Sequence, residues 1–299
     1  MSQSPTISTV AFVGLGRMGL PMASNLLKAG FAVVGCDLDP AKTAALAERG
    51  GRTASAPAAA AAEADLTLSL VMDDAALRSV ADGVLGGARP GHIFCDLSTV
   101  SPAASRDVAA RARGAGTGFV CGKVAGSVGL AESAGLTLFA SGPAADVEAC
   151  RPAFAAMAAT VRHVGEGEAA AYLKLVHSLI VGIYSAMIGE ALAFGEKGGL
   201  SLDTMVDVLE AGPLGSRQLS LKAPVLKGRQ FDAPPSDIDT AAKDVDLILD
   251  AARRDRTPLP LMAAARQVMT FAQARGEGKR DIYAVLESFE RLAGLGDTP

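Results

Sequence analysis

Several signatures are missing from this chain of 299 residues, and each absence removes a class of function. The four cysteines, Cys36, Cys95, Cys121 and Cys150, stand far apart with no C-x-x-C pair. They read as small buried hydrophobes in a reducing compartment rather than as a disulfide frame or a zinc site. No other metal-ligand set is visible. Positive charge is not in excess: 28 Lys and Arg face 32 Asp and Glu, for a net charge of −4. That balance gives no electrostatic case for nucleic acid or for an anionic membrane. Met1–Ser8 is polar and lacks a basic segment followed by an apolar core, so a soluble cytoplasmic protein is expected. No repeat of solenoid period occurs. The length is enough for two domains with a large core.

What is present is organised around Val10-Ala-Phe-Val-Gly14-Leu15-Gly16-Arg17-Met18-Gly19-Leu20. The apolar run Val10–Val13 suits a buried parallel strand. Gly14, Gly16 and Gly19 follow in G-x-G-x-x-G spacing, and a helical pattern runs from Pro21 to Lys28. Gly14 permits the tight turn, Gly16 lets the backbone approach a pyrophosphate, and Gly19 lets helix pack on strand. With 33 glycines the spacing alone is weak, but its context is right on both sides. A second strand, Ala32–Cys36, ends in Asp37, an acid placed to accept hydrogen bonds from an adenosine ribose. A carboxylate there repels a 2′-phosphate, and no Lys or Arg follows until Lys42, so NAD is favoured over NADP. The competing interpretation of this stretch is a βαβ unit without a cofactor.

Short apolar runs alternate with helical patterns as far as Gly142. The expected strands are Val10–Val13, Ala32–Cys36, Leu66–Leu70, Ile93–Leu97, Gly118–Lys123 and Leu136–Ala140, with helices such as Pro40–Arg49 and Asp74–Val80 between them. This alternation predicts an α/β fold with a doubly wound parallel sheet of the Rossmann type. The segment Ala56–Ala62 reads as a short helix opened by Pro57, and Gly86–Gly91 as a loop. Composition shifts after Gly165-Glu-Gly167. A long helix over Glu168–Lys197 carries apolar residues almost all the way round, including Leu173, Val176, Ile180, Ile183 and Met187. Between Lys174 and Glu190 it is too short to span a membrane and has no basic flank. It is expected to lie buried between two domains or two subunits. Leu202–Glu210, Ala241–Arg254, Pro260–Arg275 and Ile282–Leu292 also have helical spacing. The expectation is a dinucleotide-binding domain over residues 1–166 and an all-helical substrate and dimerisation domain over 167–299, joined by the long interdomain helix.

Three further stretches carry candidate chemistry. Lys174 and His177, three apart on the long helix, share a face. Inside an apolar helix both cost free energy unless they find partners. Either Lys174 snorkels to solvent and His177 bonds a backbone carbonyl, or the pair lines a site. Asp96-Leu-Ser98-Thr99-Val-Ser-Pro102 follows a strand at the sheet edge where α/β proteins bind ligands. Phe119-Val-Cys-Gly-Lys123-Val-Ala125-Gly126-Ser127 runs from a strand into a turn of small residues whose N–H groups can hold a carboxylate. Helix capping by Ser and Thr is the plainer alternative for both.

Taken together, Gly14–Gly19, Asp96–Pro102, the Ala125–Ser127 turn with Glu132 and Leu136-Thr137, Lys174 with His177, and Lys243-Asp244 occur in the order of the β-hydroxyacid dehydrogenase family. That superfamily includes 3-hydroxyisobutyrate dehydrogenase, tartronate semialdehyde reductase and 6-phosphogluconate dehydrogenase, and the resemblance spans Val10 to Leu292. It implies that Lys174 is the catalytic lysine, a general base on the substrate hydroxyl in oxidation and a general acid on the carbonyl in reduction. Beside a cationic nicotinamide and out of water such an amine should titrate lower than usual. Lys243 resembles the family's lysine that closes over cofactor and substrate. Val71 and Met72 match its dinucleotide-contacting turn, and Ser98 and Thr99 the hydroxyl residues near the nicotinamide. Ala125, Gly126, Ser127, His177 and Ser178 match substrate-binding positions. A homodimer or homotetramer acting on a small hydroxy acid is implied.

The chain also departs from the pattern. The family's Pro-Val before Ser-Gly-Gly is here Lys123-Val-Ala125-Gly126-Ser127, which removes the hydroxyl at position 125. The common Lys-x-x-Asn-Asn is Lys174-x-x-His177-Ser178, resembling the threonate dehydrogenase branch, and an imidazole suits a polyhydroxy acid. The glutamate with which 6-phosphogluconate enzymes complete a decarboxylation is replaced on that face by Val181, favouring simple oxidation. Two alternatives remain beside the hydroxyacid reading: an imine reductase-like enzyme, against which Lys174 speaks, and a non-catalytic dinucleotide-binding module.

Overall fold

Gly87 and Ala58 show how tightly the first part of the chain is wound. A Cβ on Gly87 would sit 2.1 Å from the Ala58 carbonyl oxygen, and one on Gly83 would sit 3.0 Å from Pro57. Helices α3 (Pro57–Glu63) and α4 (Asp74–Gly87) touch through those glycines. The computed structural model describes residues 7–232, 234 and 236–295. Of the polar opening stretch, residues 1–6 lie outside the described residues. The chain divides into two compact units, Met1–Lys174 and Leu175–Pro299.

The first unit is built on eight strands: β1 (Thr9–Val13), β2 (Ala32–Cys36), β3 (Arg52–Thr53), β4 (Leu66–Ser69), β5 (Ile93–Asp96), β6 (Gly118–Ala125), β7 (Leu136–Ser141) and β8 (Ala158–His163). They lie in the order β3-β2-β1-β4-β5-β6-β7-β8. The strand order reverses at β1, where β2 and β4 flank the first strand, as in a doubly wound fold. Both faces are covered. Val10 and Phe12 enter one apolar cluster with Met22 and Leu26 of α1 (Gly19–Lys28), while Ala11 and Val13 enter another with Leu77 and Val84 of α4.

All pairings are parallel except that between β6 and β7. The connection over residues 126–135 holds only the short helix α6 (Val128–Glu132), too little chain for a crossover, so β7 returns antiparallel. Two strands have no apolar signature in the sequence. Strand β3 is two exposed residues at one edge of the sheet, and β8, at the other edge, is mostly half-exposed or exposed. Helix α4 runs through Gly86 and Gly87, which the sequence places in a loop, because Gly87 is required by contact with Ala58 rather than by a turn. The remaining helices here are α2 (Pro40–Ala47), α5 (Pro102–Gly114) and α7 (Ala144–Met157).

Helix α8 (Ala169–Lys197) is 29 residues long, and the division between the units falls within it. By length and composition it is apolar enough to cross a membrane, as the core helix of a soluble protein also can be. The second unit is helical: α9 (Leu202–Ala211), α10 (Arg217–Lys227), α11 (Ile238–Arg254), α12 (Pro260–Ala274), a 3₁₀ turn (Ile282–Ala284) and α13 (Val285–Leu292). Pro224 hides α10 from a reading of periodicity. The core of this unit includes Leu192, Val206, Leu226, Phe231, Val245, Met269 and Leu286.

One acid in the second unit is poorly served. Arg229 donates to both oxygens of Glu290, at 2.9 and 2.7 Å, and to Glu196 Oε1 at 3.1 Å. Glu196 Oε2 is buried without a hydrogen-bond partner. Burial first, then the adjacent Glu290 carboxyl, push the Glu196 carboxyl up from 4.5 to about 7. The folded protein therefore holds this proton more tightly than the unfolded chain. Stability is lost as pH rises through that interval. Glu196→Gln is expected to stabilise by about 1–2 kcal/mol at pH 8 and little at pH 5, which urea titrations at the two pH values will measure.

Candidate active site

The strand ends of the first unit present the glycine loop. Gly14 has φ +95°, and a Cβ there would collide with the Leu70 carbonyl at 2.2 Å. A Cβ on Gly19 would lie 2.0 Å from the Gly14 carbonyl. Gly16 is different: nothing lies within 4 Å of a Cβ built on it, so its open side faces free space. Helix α1 starts there without a side-chain cap from Met18 and with no acid in its first turn. A cradle of this kind fits a pyrophosphate, whose charge the N–H groups and dipole of a helix N-terminus favour. An adjoining cavity of about 730 Å³ is lined by Gly16, Arg17, Lys28, Lys42 and Arg49, with Glu132 the only acid.

Asp37 follows β2 and turns back to this loop. Leu15 N donates to Asp37 Oδ2 at 2.6 Å, and Asp39 N donates to Oδ1 at 2.8 Å. A carboxylate has capacity beyond two bonds. Leu38, next in sequence, is fully exposed. Across β1, the segment after β4 carries Val71 and the exposed Met72. Val71 N donates to the buried Ser98 hydroxyl at 2.8 Å, so the 71–72 and 98–99 segments are tied together. Capping of α5 falls to Ser101, which bonds Ala104 N and Asp74, and Thr99 is half-buried.

Beneath these segments lies a pair that the sequence pattern did not single out. Lys123 of β6 and Asp96 of β5 are both fully buried, with Lys123 Nζ 2.7 Å from Asp96 Oδ2 and 3.2 Å from the Asp96 carbonyl. Asp96 Oδ1 accepts from Ser69 Oγ at 3.0 Å and from Ser98 N at 3.1 Å. Burial is the largest single influence and opposes charge on Lys123, yet attraction to and hydrogen bonding with Asp96, together with Cys121 and Cys95, hold the amine's pKa above its ordinary value. The visible signal was a lone charge in an otherwise apolar strand.

One residue further along β6, the Val124 carbonyl accepts a hydrogen bond from Lys174 Nζ at 3.1 Å. Lys174 is half-buried, and the next residues of β6 open the turn: Ala125 is half-buried, while Gly126 and Ser127 are exposed. Gly126 has φ +142°, and Ser127 opens α6 without a side-chain cap bond. The structure thus brings Lys174 to the Ala125–Ser127 turn.

In the second unit, His177 is exposed on α8. Ser178 Oγ donates to Asp244 Oδ2 at 3.2 Å, and Lys243 of α11 lies 3.0 Å from Asp244 Oδ1. Asp244 therefore joins Ser178 and Lys243, a role its place in the sequence did not reveal. Among the described residues no cluster of His, Cys, Asp and Glu is arranged to hold a metal.

Breaking a buried ion pair from one side leaves an uncompensated charge. Lys123→Met is expected to cost about 3–5 kcal/mol in urea unfolding, and Lys123→Met with Asp96→Asn to recover most of it.

Residues 9–165 match the family model described as the NAD binding domain of 6-phosphogluconate dehydrogenase. Residues 165–289 match the one described as NAD-binding of NADP-dependent 3-hydroxyisobutyrate dehydrogenase. The chain is 32% identical over 285 residues to L-threonate dehydrogenase of Cupriavidus necator, covering 94% of this chain and 95% of that protein. It is 31% identical over 292 residues to 2-(hydroxymethyl)glutarate dehydrogenase of Eubacterium barkeri, covering 96% of each. The solved 3-hydroxyisobutyrate dehydrogenase of Mycobacterium tuberculosis with L-serine superposes with a TM-score of 0.88 at 28% identity, covering 94% of this chain and 99% of that one.

Proposed function

This chain belongs to the β-hydroxyacid dehydrogenase superfamily, and from that premise we propose that Lys174 moves the proton in its reaction. The chain is an NAD(P)-dependent oxidoreductase acting on the CH–OH group of a hydroxy acid. The observation that carries the role of Lys174 is its hydrogen bond to Val124 O, which fixes the amine beside the Ala125–Ser127 turn. In oxidation Lys174 Nζ takes the proton of the substrate hydroxyl, and in reduction it returns that proton to the carbonyl oxygen. The bound dinucleotide supplies hydride transfer. The small-residue turn receives the substrate carboxylate through its backbone N–H groups and the Ser127 hydroxyl.

Gly14–Gly19 cradle the pyrophosphate, and the segments at Val71-Met72 and Ser98-Thr99 line the rest of the cofactor path. Asp37 accepts from the adenosine ribose, which favours NAD over NADP, although Arg17 and Lys42 beside the loop soften that preference. The family resemblance assigns His177 and Ser178 to further hydroxyl groups of the substrate and Lys243 to the bound molecules. This supports a threonate- or 3-hydroxyisobutyrate-like acid as substrate. Lys174→Ala should lower the rate of NAD reduction with a panel of such acids at alkaline pH by about 100-fold or more. Turnover that survives the substitution removes the assigned role. In the same assay Asp37→Arg should shift preference towards NADP, and an unchanged preference overturns the ribose argument.

The protein is soluble, and we place it in the cytoplasm as a homodimer or homotetramer. Ile180, Met187 and Phe194 stand at seven-residue intervals on α8 and are 58%, 50% and 82% exposed. Such a stripe suits a second copy of the chain. Ile180→Lys with Met187→Lys should lower the mass measured by light scattering to that of a monomer.

A further inference from the structure

We propose that Lys123 is a positioning residue, whose ion pair with Asp96 sets where Val124 O holds the Lys174 amine; this rests on the reading of Lys174 as the proton-moving group.

The observations form a chain of short contacts inside the first unit. β5 and β6 pair in register at Asp96 and Cys121. Lys123 stands two residues beyond that pair, where β5 has already ended, so on this side no ladder reaches it, while on the other side β7 pairs Phe139 with Lys123 and Leu138 with Val124. Its side chain supplies the tie to β5 that the ladder no longer makes, by reaching back to the carboxylate and the carbonyl of Asp96. The next backbone carbonyl along β6 is Val124 O, the acceptor for Lys174. Asp96 is itself held, through Oδ1, by Ser69 Oγ and Ser98 N. The amine is thus referred, through Val124 and Lys123, to the same carboxylate that fixes the Ser98 segment.

Stability alone does not account for the pair. Two charges taken out of water pay a desolvation cost that apolar side chains of like size avoid. An ion pair does what apolar side chains cannot, because it fixes the direction and length of a contact. Displacement of a catalytic group by about 1 Å can cost 100-fold in rate, so such a tie has a use here.

The test compares full-length variants that remain neutral in the core. Asp96→Asn keeps Oδ1 as an acceptor for Ser69 and Ser98, and Lys123→Met removes the tie to β6. The Met/Asn double variant is expected to melt close to the wild type and keep its KM for NAD, with kcat down by about tenfold. Its Lys174 should react faster with trinitrobenzenesulfonate at pH 9, read by peptide mass spectrometry against Lys28 as internal reference. Lys123→Gln with Asp96→Asn restores a neutral hydrogen bond and should return both readouts towards wild type. A Met/Asn variant that folds with unchanged kcat and unchanged Lys174 labelling overturns the proposal, as does a fall in kcat without a change in labelling. If labelling changes as expected while Lys174→Ala keeps full turnover, the positioning stands and the assigned role of Lys174 fails.

Discussion

Parallel strands must all end at the same edge, and every assigned feature of the first unit follows from that constraint. β1, β2, β4 and β5 deliver the glycine loop, Asp37, Val71-Met72 and Ser98-Thr99 to one edge, and β6 brings the Ala125–Ser127 turn there as well. These residues lie far apart in sequence but share a rim because right-handed crossovers return each strand in the same direction. The reversal at β7 comes only after β6 has delivered its turn.

That constraint also concentrates a difficulty. Where strands stop, backbone groups lose ladder partners, and side chains or ligands must supply replacements. Asp37 takes the N–H of Leu15, Ser98 takes that of Val71, and Asp96 takes that of Ser98. The first two bonds tie one strand end to its neighbour, and the third braces the end of β5 on itself, so the rim carries polar ties above two apolar layers. Such networks specify geometry when every member is satisfied.

The parts legible in the sequence are those where backbone physics restricts residue type. Gly14 and Gly19 are forced by contacts of 2.2 and 2.0 Å, so no other residue can stand there and the spacing becomes a signature. Central strands were legible because burial on both faces makes them continuously apolar. Edge strands β3 and β8 escape that rule, and Pro224 disguises α10. Gly86 and Gly87 read as a turn although Gly87 serves close contact between helices, which residue type alone does not distinguish. Lys123 is the strongest case of illegibility. Its meaning depends on Asp96, 27 positions away, and on register between strands. The joining of Ser178 and Lys243 by Asp244 is long-range in the same way.

The backbone carbonyl that bonds Lys174 differs in kind from a carboxylate. A carboxylate in that position would hold the amine charged by direct attraction and oppose release of its proton. A carbonyl oxygen only accepts and carries no net charge. It therefore orients the amine without itself contributing a charge. The charge needed to hold that strand end is placed instead on Lys123 and Asp96, where it is neutralised within the pair. The carbonyl that bonds Lys174 is thus separate from the buried charges of Lys123 and Asp96 that brace its strand.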